Sequence, residues 1–354
     1  MSKYVKNHIS NLERIRPMQN RIDYIRLDMN ENPAGLPKDF FSKVISKLTP
    51  EMISMYPEPS RLESLLCKKH DVTNENIIIT NGSDEAIKSI FEIFSKEGSK
   101  FISVYPTFEM YMVYAKMFNL EISTINYSDD MNISIEKIVQ EIDENTSIIA
   151  LLNPNNPIGT VYTSDEVERV ITKANSVGAI VIIDEAYHYF YDRSFINLIE
   201  KYDNIIVTRT FSKACSIAGL RIGYAVGSKA IISSLEKIRQ TFNVNTVSLL
   251  FAEEILLENG LIDRLVEIEL EGRNFILEKL EKSGRKTYAQ NGNYVFFKPL
   301  TNKIDVIEKL KENKVLVRGY SVPILEDYIR ISTGSKEIME KFWNILQIVD
   351  EGKT

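Results

Sequence analysis

Cysteine is scarce: Cys67 and Cys215 are the only two in 354 residues, so no disulfide framework is implied and a reducing, cytoplasmic setting is expected. An excess of basic charge is also missing. The net charge of −6 gives no electrostatic reason to expect nucleic acid or an anionic membrane as a partner. No uncharged apolar run approaches the roughly 18–20 residues that a membrane span needs. Residues 1–30 carry charges from Lys3 to Asp23 and lack the apolar core of a signal peptide. Histidine occurs three times, as His8, His70 and His188, without metal-ligand spacing, so no metal site is expected. No Gly-x-Gly-x-x-Gly follows an expected strand, which disfavours a nucleotide-dependent dehydrogenase.

What remains is an ordinary globular composition, 44% hydrophobic and 26% charged, in a chain long enough for one large or two ordinary domains. Short Ile/Val-rich runs at Asn76–Thr80, Lys100–Tyr105, Ser147–Leu152, Ile180–Asp184, Asn204–Thr208 and Gly223–Val226 read as strands buried on both faces. Amphipathic stretches between them, such as Asp84–Ser95 and Ser164–Ser176, read as helices, with Ser164 as an N-cap. The alternation predicts an α/β fold whose large domain has a mainly parallel central sheet. After Gly227 the pattern changes. A helical region from about Ser228 to Lys282, broken near Asn243–Asn245, precedes strand-like Asn293–Lys298, helix Ile304–Glu312, strand-like Val315–Arg318 and Ile329–Ser332, and a helix from Glu337. The expected division is an N-terminal arm at 1–30, packed on the small domain or on a partner subunit, a large domain at 31–240 and a smaller α+β domain at 241–354.

Five segments carry chemistry-bearing residues at strand ends. Asn81-Gly82-Ser83-Asp84-Glu85 opens a helix whose free N–H groups suit a phosphate, although an N-capped helix needs no ligand. Asn153-Pro154-Asn155-Asn156-Pro157-Ile158-Gly159-Thr160 is a rigid loop at the edge where α/β sheets bind ligands, or an ordinary turn. Asp184, in Asp184-Glu185-Ala186-Tyr187, ends a buried strand, where a carboxylate is costly unless paired; a helix cap is the other reading. Ser212-Lys213, followed by Gly219-Leu220-Arg221, offers an amine beside a hydroxyl and a second cation; partial burial makes such an amine nucleophilic. Arg330, in an apolar strand, asks for an anionic partner, either a ligand or a structural carboxylate.

Taken in order with Leu27-Asp28-Met29-Asn30-Glu31-Asn32-Pro33, Tyr56-Pro57-Glu58-Pro59 and Asn243-Val244-Asn245, these segments resemble the fold-type I pyridoxal-5′-phosphate (PLP) enzymes, in particular the histidinol-phosphate aminotransferase family. The resemblance implies a Schiff-base lysine at Lys213 and pairing of Asp184 with the cofactor's ring nitrogen. It implies contacts from Tyr187 and Asn156 to the ring's phenolic oxygen, and a phosphate site made by Gly82, Ser83, Asp84, Ser212, Arg221 and, from the other subunit of a homodimer, Tyr56. Phe108 falls where the family usually stacks a Tyr on the ring, so stacking survives and a hydroxyl contact is lost. Arg330 takes the position of the substrate carboxylate clamp, with Asn156 beside it, and Arg318 that of a substrate-phosphate contact.

The expected activity is therefore amino-group exchange between an amino acid or phosphorylated amine and a 2-oxo acid such as 2-oxoglutarate, with decarboxylation of an O-phospho-amino acid as the alternative on the same cofactor residues. A transcription regulator built on this fold is disfavoured, since residues 1–26 offer too little, and too little basic charge, for a DNA-binding domain ahead of the first motif. His188 is either a substrate contact or a packed side chain.

Overall fold

A computed structural model describes residues 4–10, 12 and 20–352. Of the expected arm, residues 1–3, 11 and 13–19 lie outside the described residues. The arm's last part pairs with the C-terminal half: strand β1 (Ile25–Arg26) lies parallel to Val315–Leu316.

Seven strands form the main sheet: β2 (Ile77–Thr80), β3 (Lys100–Tyr105), β4 (Glu121–Asn126), β5 (Thr146–Leu152), β6 (Ile180–Asp184), β7 (Ile205–Thr210) and β8 (Gly223–Gly227). Their order is β2-β8-β7-β6-β5-β3-β4. All neighbours are parallel except β8, which runs against both β2 and β7. Every residue of β5 and β7 is buried, as expected of strands covered by helices on both faces. β4 escaped the sequence reading for a physical reason. It pairs only with β3, at the sheet edge, and its Glu-Ile-Ser-Thr-Ile-Asn is largely solvated, so no apolar run marks it.

The helix expected over Asp84–Ser95 spans Ser83–Phe94, and the next expected one spans Ser164–Val177. The latter is capped by Thr163 rather than Ser164, in a reciprocal capping box with Glu166. The 228–282 region breaks twice. Asn245 caps the Thr246–Leu257 helix, as its position suggested, and Gly260, with φ of 70°, separates that helix from Leu261–Lys282. Leu249, Leu250 and Phe251 of Thr246–Leu257 join the core around the seven-stranded sheet.

The remaining strands are β9 (Thr287–Tyr288), β10 (Tyr294–Phe297), β11 (Val315–Leu316), β12 (Arg318–Gly319) and β13 (Ile329–Ser332). A four-stranded antiparallel sheet has the order β12-β13-β10-β9. The expected strand Val315–Arg318 is thus two short ones: β11 serves β1, and β12 serves β13. Alternation along β13 sends Ile329 and Ile331 into a second core with Val295, Phe297 and Phe342. Arg330 and Ser332 point to the opposite face, and both are buried.

The Leu261–Lys282 helix presses backbone to backbone on the turn after β13. A Cβ at Gly272 would lie 1.9 Å from the Gly334 carbonyl oxygen, a contact that no side-chain motion relieves. Gly272→Ala is expected to destabilise the fold by about 2 kcal/mol or more, read as a lowered thermal midpoint; an unchanged midpoint would show that the helix can shift freely.

Candidate active site

Because β2, β5, β6 and β7 run in the same direction, their C-terminal ends meet along one edge of the sheet. β8 runs the opposite way and so starts at that edge, bringing Arg221 to it. The junction is close: a Cβ on Gly223 would lie 2.6 Å from the Arg209 carbonyl oxygen and 2.7 Å from the Ser83 nitrogen. Only glycine fits there.

A cavity of about 460 Å³ opens at this edge, within the size range of small-molecule sites. Of the residues singled out from sequence, Ser83, Asp84, Phe108, Asn156, Asp184, Tyr187, Ser212, Lys213, Arg221, Arg318 and Arg330 line it. Gly82 precedes Ser83 but is not itself a lining residue; its φ is 77°, and a Cβ there would come within 2.5 Å of Arg221 Nη2. Tyr56 lies elsewhere. It is exposed and stacked on Phe242, ring centroids 4.2 Å apart. His188 is packed rather than poised at the cavity: its Nδ1 lies 2.9 Å from the Glu185 carbonyl oxygen.

One end of the cavity suits an anion. The Ser83–Phe94 helix starts there with no side-chain cap on its first N–H groups, so its positive end is unfilled. Arg221 reaches across, donating from Nη1 to Ser212 Oγ at 3.2 Å, and Thr210 donates to the same oxygen at 2.9 Å. The capped-helix alternative does not hold here, because Ser83 caps nothing.

In the centre, Asp184 is 2% exposed. Its Oδ2 accepts from the Tyr111 hydroxyl at 2.8 Å and its Oδ1 from the Ala186 N–H at 3.1 Å. Burial lifts its pKa from 3.8 to about 6 against those two hydrogen bonds. The carboxylate is thus kept short of a cation. Lys213 Nζ, half-buried, donates to the Met29 carbonyl oxygen at 3.0 Å. Burial first, and then the charge of Arg330, lower its pKa from 10.5 to about 8.

At the far end, Arg330 is 4% exposed. It donates from Nη1 to Asn156 Oδ1 at 2.8 Å and from Nη2 to the Asp28 carbonyl oxygen at 2.5 Å. No carboxylate pairs with it among the described residues, so the structural ion pair is excluded as its reason for burial. Arg318 stands at the mouth, 3.8 Å from Glu109 Oε2.

Sequence reasoning overlooked Tyr111, which lies one helical turn from Phe108 and packs edge-on against it. It also gave no role to Asn30, although it quoted the segment that contains it. Asn30 Nδ2 donates to the Tyr187 hydroxyl oxygen at 2.9 Å and to Asn156 Oδ1 at 3.2 Å. Neither role is visible without the third dimension.

The family described as aminotransferase class I and II matches residues 22–346. The chain belongs to that family. It is 33% identical over 317 residues to the histidinol-phosphate aminotransferase of Clostridium novyi, covering 88% of each chain, and 33% identical over 327 residues to that of Caldanaerobacter subterraneus, covering 91% of this chain and 92% of the relative. A solved histidinol-phosphate aminotransferase of Sinorhizobium meliloti, in complex with pyridoxal-5′-phosphate, superposes with a TM-score of 0.86 at 21% identity over 99% of both chains. The protein is thus a PLP-dependent transaminase of the histidinol-phosphate aminotransferase family. The cavity of this member fits that cofactor: an anion cradle, a buried carboxylate without a cation and a nucleophilic amine share one space.

In the cofactor-free protein, acylation of Lys213 by an amine-directed reagent should rise with pH to half its maximum near pH 8, since the neutral amine predominates above that value. Peptide mapping reads the site. A midpoint near the ordinary 10.5 would show an exposed, unperturbed lysine.

Proposed function

We propose that the protein transfers an amino group between a phosphorylated amine resembling histidinol phosphate and 2-oxoglutarate, with Lys213 joined covalently to the cofactor's aldehyde carbon. When bound, PLP supplies a conjugated electron sink for bonds at the substrate's α-carbon. The chain's own residues do the rest. The observation that carries the reading is one cavity lined by two unmatched buried charges, Asp184 and Arg330, together with the amine of Lys213.

Asp184 would pair with the cofactor's ring nitrogen and hold its proton, which would remove the cost of its own burial. Tyr187 and Asn156 hydrogen-bond the phenolic oxygen. The uncapped helix with Gly82, Ser83 and Asp84, together with Ser212 and Arg221, grips the phosphate. Phe108 stacks on the ring. Arg330 would clamp the α-carboxylate of the glutamate and 2-oxoglutarate pair as a planar fork, a fixed grip that would decide which α-carbon bond stands perpendicular to the ring. Lys213, as a neutral amine, would take the α-proton, a role that its lowered pKa suits near pH 8. Arg318, at the mouth, binds the substrate phosphate. The two half-reactions alternate on one site, as ping-pong exchange requires.

A homodimer belongs to the same proposal. Tyr56 is 75% exposed and remote from its own cavity, so it is free to complete a partner's phosphate site. The division into 1–30, 31–240 and 241–354 and a cytoplasmic location are likewise proposed; no helix among the described residues is long and apolar enough to cross a membrane. O-phospho-amino-acid decarboxylation is not favoured, because the relatives above are named for transamination.

Titration of the holoenzyme with glutamate, histidinol phosphate, O-phosphoserine and O-phosphothreonine tests the reading. The bound-cofactor absorbance should convert with glutamate and with histidinol phosphate and return on adding 2-oxoglutarate, and Lys213→Ala should lack the parent band. Carbon dioxide release without any 2-oxo acid would instead establish a decarboxylase. Tyr56→Phe should raise the cofactor's dissociation constant roughly three- to tenfold, the worth of one hydrogen bond; unchanged retention would remove the shared site.

A further inference from the structure

Behind the cavity wall the Leu261–Lys282 helix carries a carboxyl group with no exposure at all, Glu269. No Lys or Arg forms an ion pair with it among the described residues. Its Oε2 accepts from Asn293 Nδ2 at 3.1 Å, and the same nitrogen donates to the Asn30 carbonyl oxygen at 3.3 Å. Burial lifts the Glu269 pKa to about 8 against the Asn293 hydrogen bond and the charge of Lys213, which favours the neutral acid. A buried acid without a counter-charge adds nothing to packing that an apolar residue would not supply better. Its position must therefore matter for another reason.

That reason lies in Asn30. Its backbone N–H donates to Ser332 Oγ at 2.8 Å, and Ser332 donates back to Asn30 Oδ1 at 3.2 Å. Oδ1 is thus committed, so Nδ2 is the end that faces Tyr187 and Asn156. Tyr187 then accepts at its oxygen, and its single proton is left to point elsewhere, into the cavity. Asn156 Oδ1 takes two donors, Asn30 and Arg330, so its own Nδ2 is the end left for a ligand.

We propose that Glu269 is a positioning residue of the active site: through Asn293 it fixes Asn30, and Asn30 aims the Tyr187 hydroxyl proton and the Asn156 amide nitrogen into the cavity. This rests on the reading that these two groups meet the cofactor's phenolic oxygen. That oxygen needs donors and tolerates no competing acceptor, and both side chains can present either character. The relay removes the choice before any ligand arrives, which is the preorganisation that fixed dipoles contribute to catalysis.

The test compares holoenzyme variants by the pH midpoint of the bound-cofactor absorbance and by kcat against KM. Glu269→Leu removes the acceptor. It should move the midpoint by roughly half a unit or more and lower kcat about three- to tenfold with KM little changed. Glu269→Gln keeps a neutral acceptor of the same shape and should recover most of both. Asn30→Ala should reproduce the shift, and the Glu269→Leu/Asn30→Ala double variant should be no worse than Asn30→Ala alone, because the two act through one path. If Glu269→Leu fails to fold, Asn293→Ser interrupts the relay at its next link and is expected to move the midpoint the same way. An unmoved midpoint, additive losses, or a Glu269→Gln variant as impaired as Glu269→Leu would overturn the relay. Absence of any cofactor band in the parent protein would overturn the cofactor site itself, and the relay with it.

Discussion

A carboxylate at the end of a strand buried on both faces is an expense that the surrounding structure must justify. Asp184 occupies such a place, with neutral groups, chiefly the Tyr111 hydroxyl and the Ala186 N–H, to solvate it. Two neutral hydrogen bonds hold down the cost of a buried ion only in part, and its raised pKa records the remainder. The rest of the site is arranged around this unmet charge. The parallel strands bring the ends of β2, β5, β6 and β7 to it, the uncapped helix start and Arg221 close one end of the cavity, and Arg330 closes the other.

The next residue shows the contrast. Glu185 is also fully buried, yet Arg209 meets it at 2.7 Å, and Ser194 and the Phe195 N–H satisfy its remaining lone pairs. Adjacent carboxylates, on opposite faces of one strand end, thus receive opposite treatment. Glu185 ties the loop after β6 to β7 and is complete within the chain. Asp184 is complete only with something added. Arg285 with Asp350 resembles Glu185 in being complete within the chain, whereas Arg330, like Asp184, meets no opposite charge among the described residues.

The large sheet was legible in the sequence because its strands are buried on both faces and read as unbroken apolar runs. β4 was not, since an edge strand needs no such run. Val315–Arg318 read as one strand because sequence shows the apolar segment and not its partners. Helix positions came through to within a residue or two, the capping shift from Ser164 to Thr163 being typical, but the stop at Gly260 was lost inside a long helical pattern. At the site, residues with unusual chemistry for their place stood out: a lysine among small residues, an aspartate closing a strand, an arginine in an apolar run. Tyr111, Asn30 and Glu269 did not, because each is unremarkable in its own segment and acquires meaning only from contacts with residues 73, 157 and 24 positions away respectively.

The cavity draws its walls from two sheets, and β10 of the smaller one gives Tyr294 and Phe296 to the large core and Val295 and Phe297 to the second. Asp184 and Lys213 belong to the seven-stranded sheet, whereas Arg330 belongs to the four-stranded one. A molecule long enough to satisfy both ends therefore adds a tie between two sheets that already share Tyr294 and Phe296 as packing surface. Occupancy and stiffness become one quantity: filling the site lends its binding free energy to the cohesion of the whole chain.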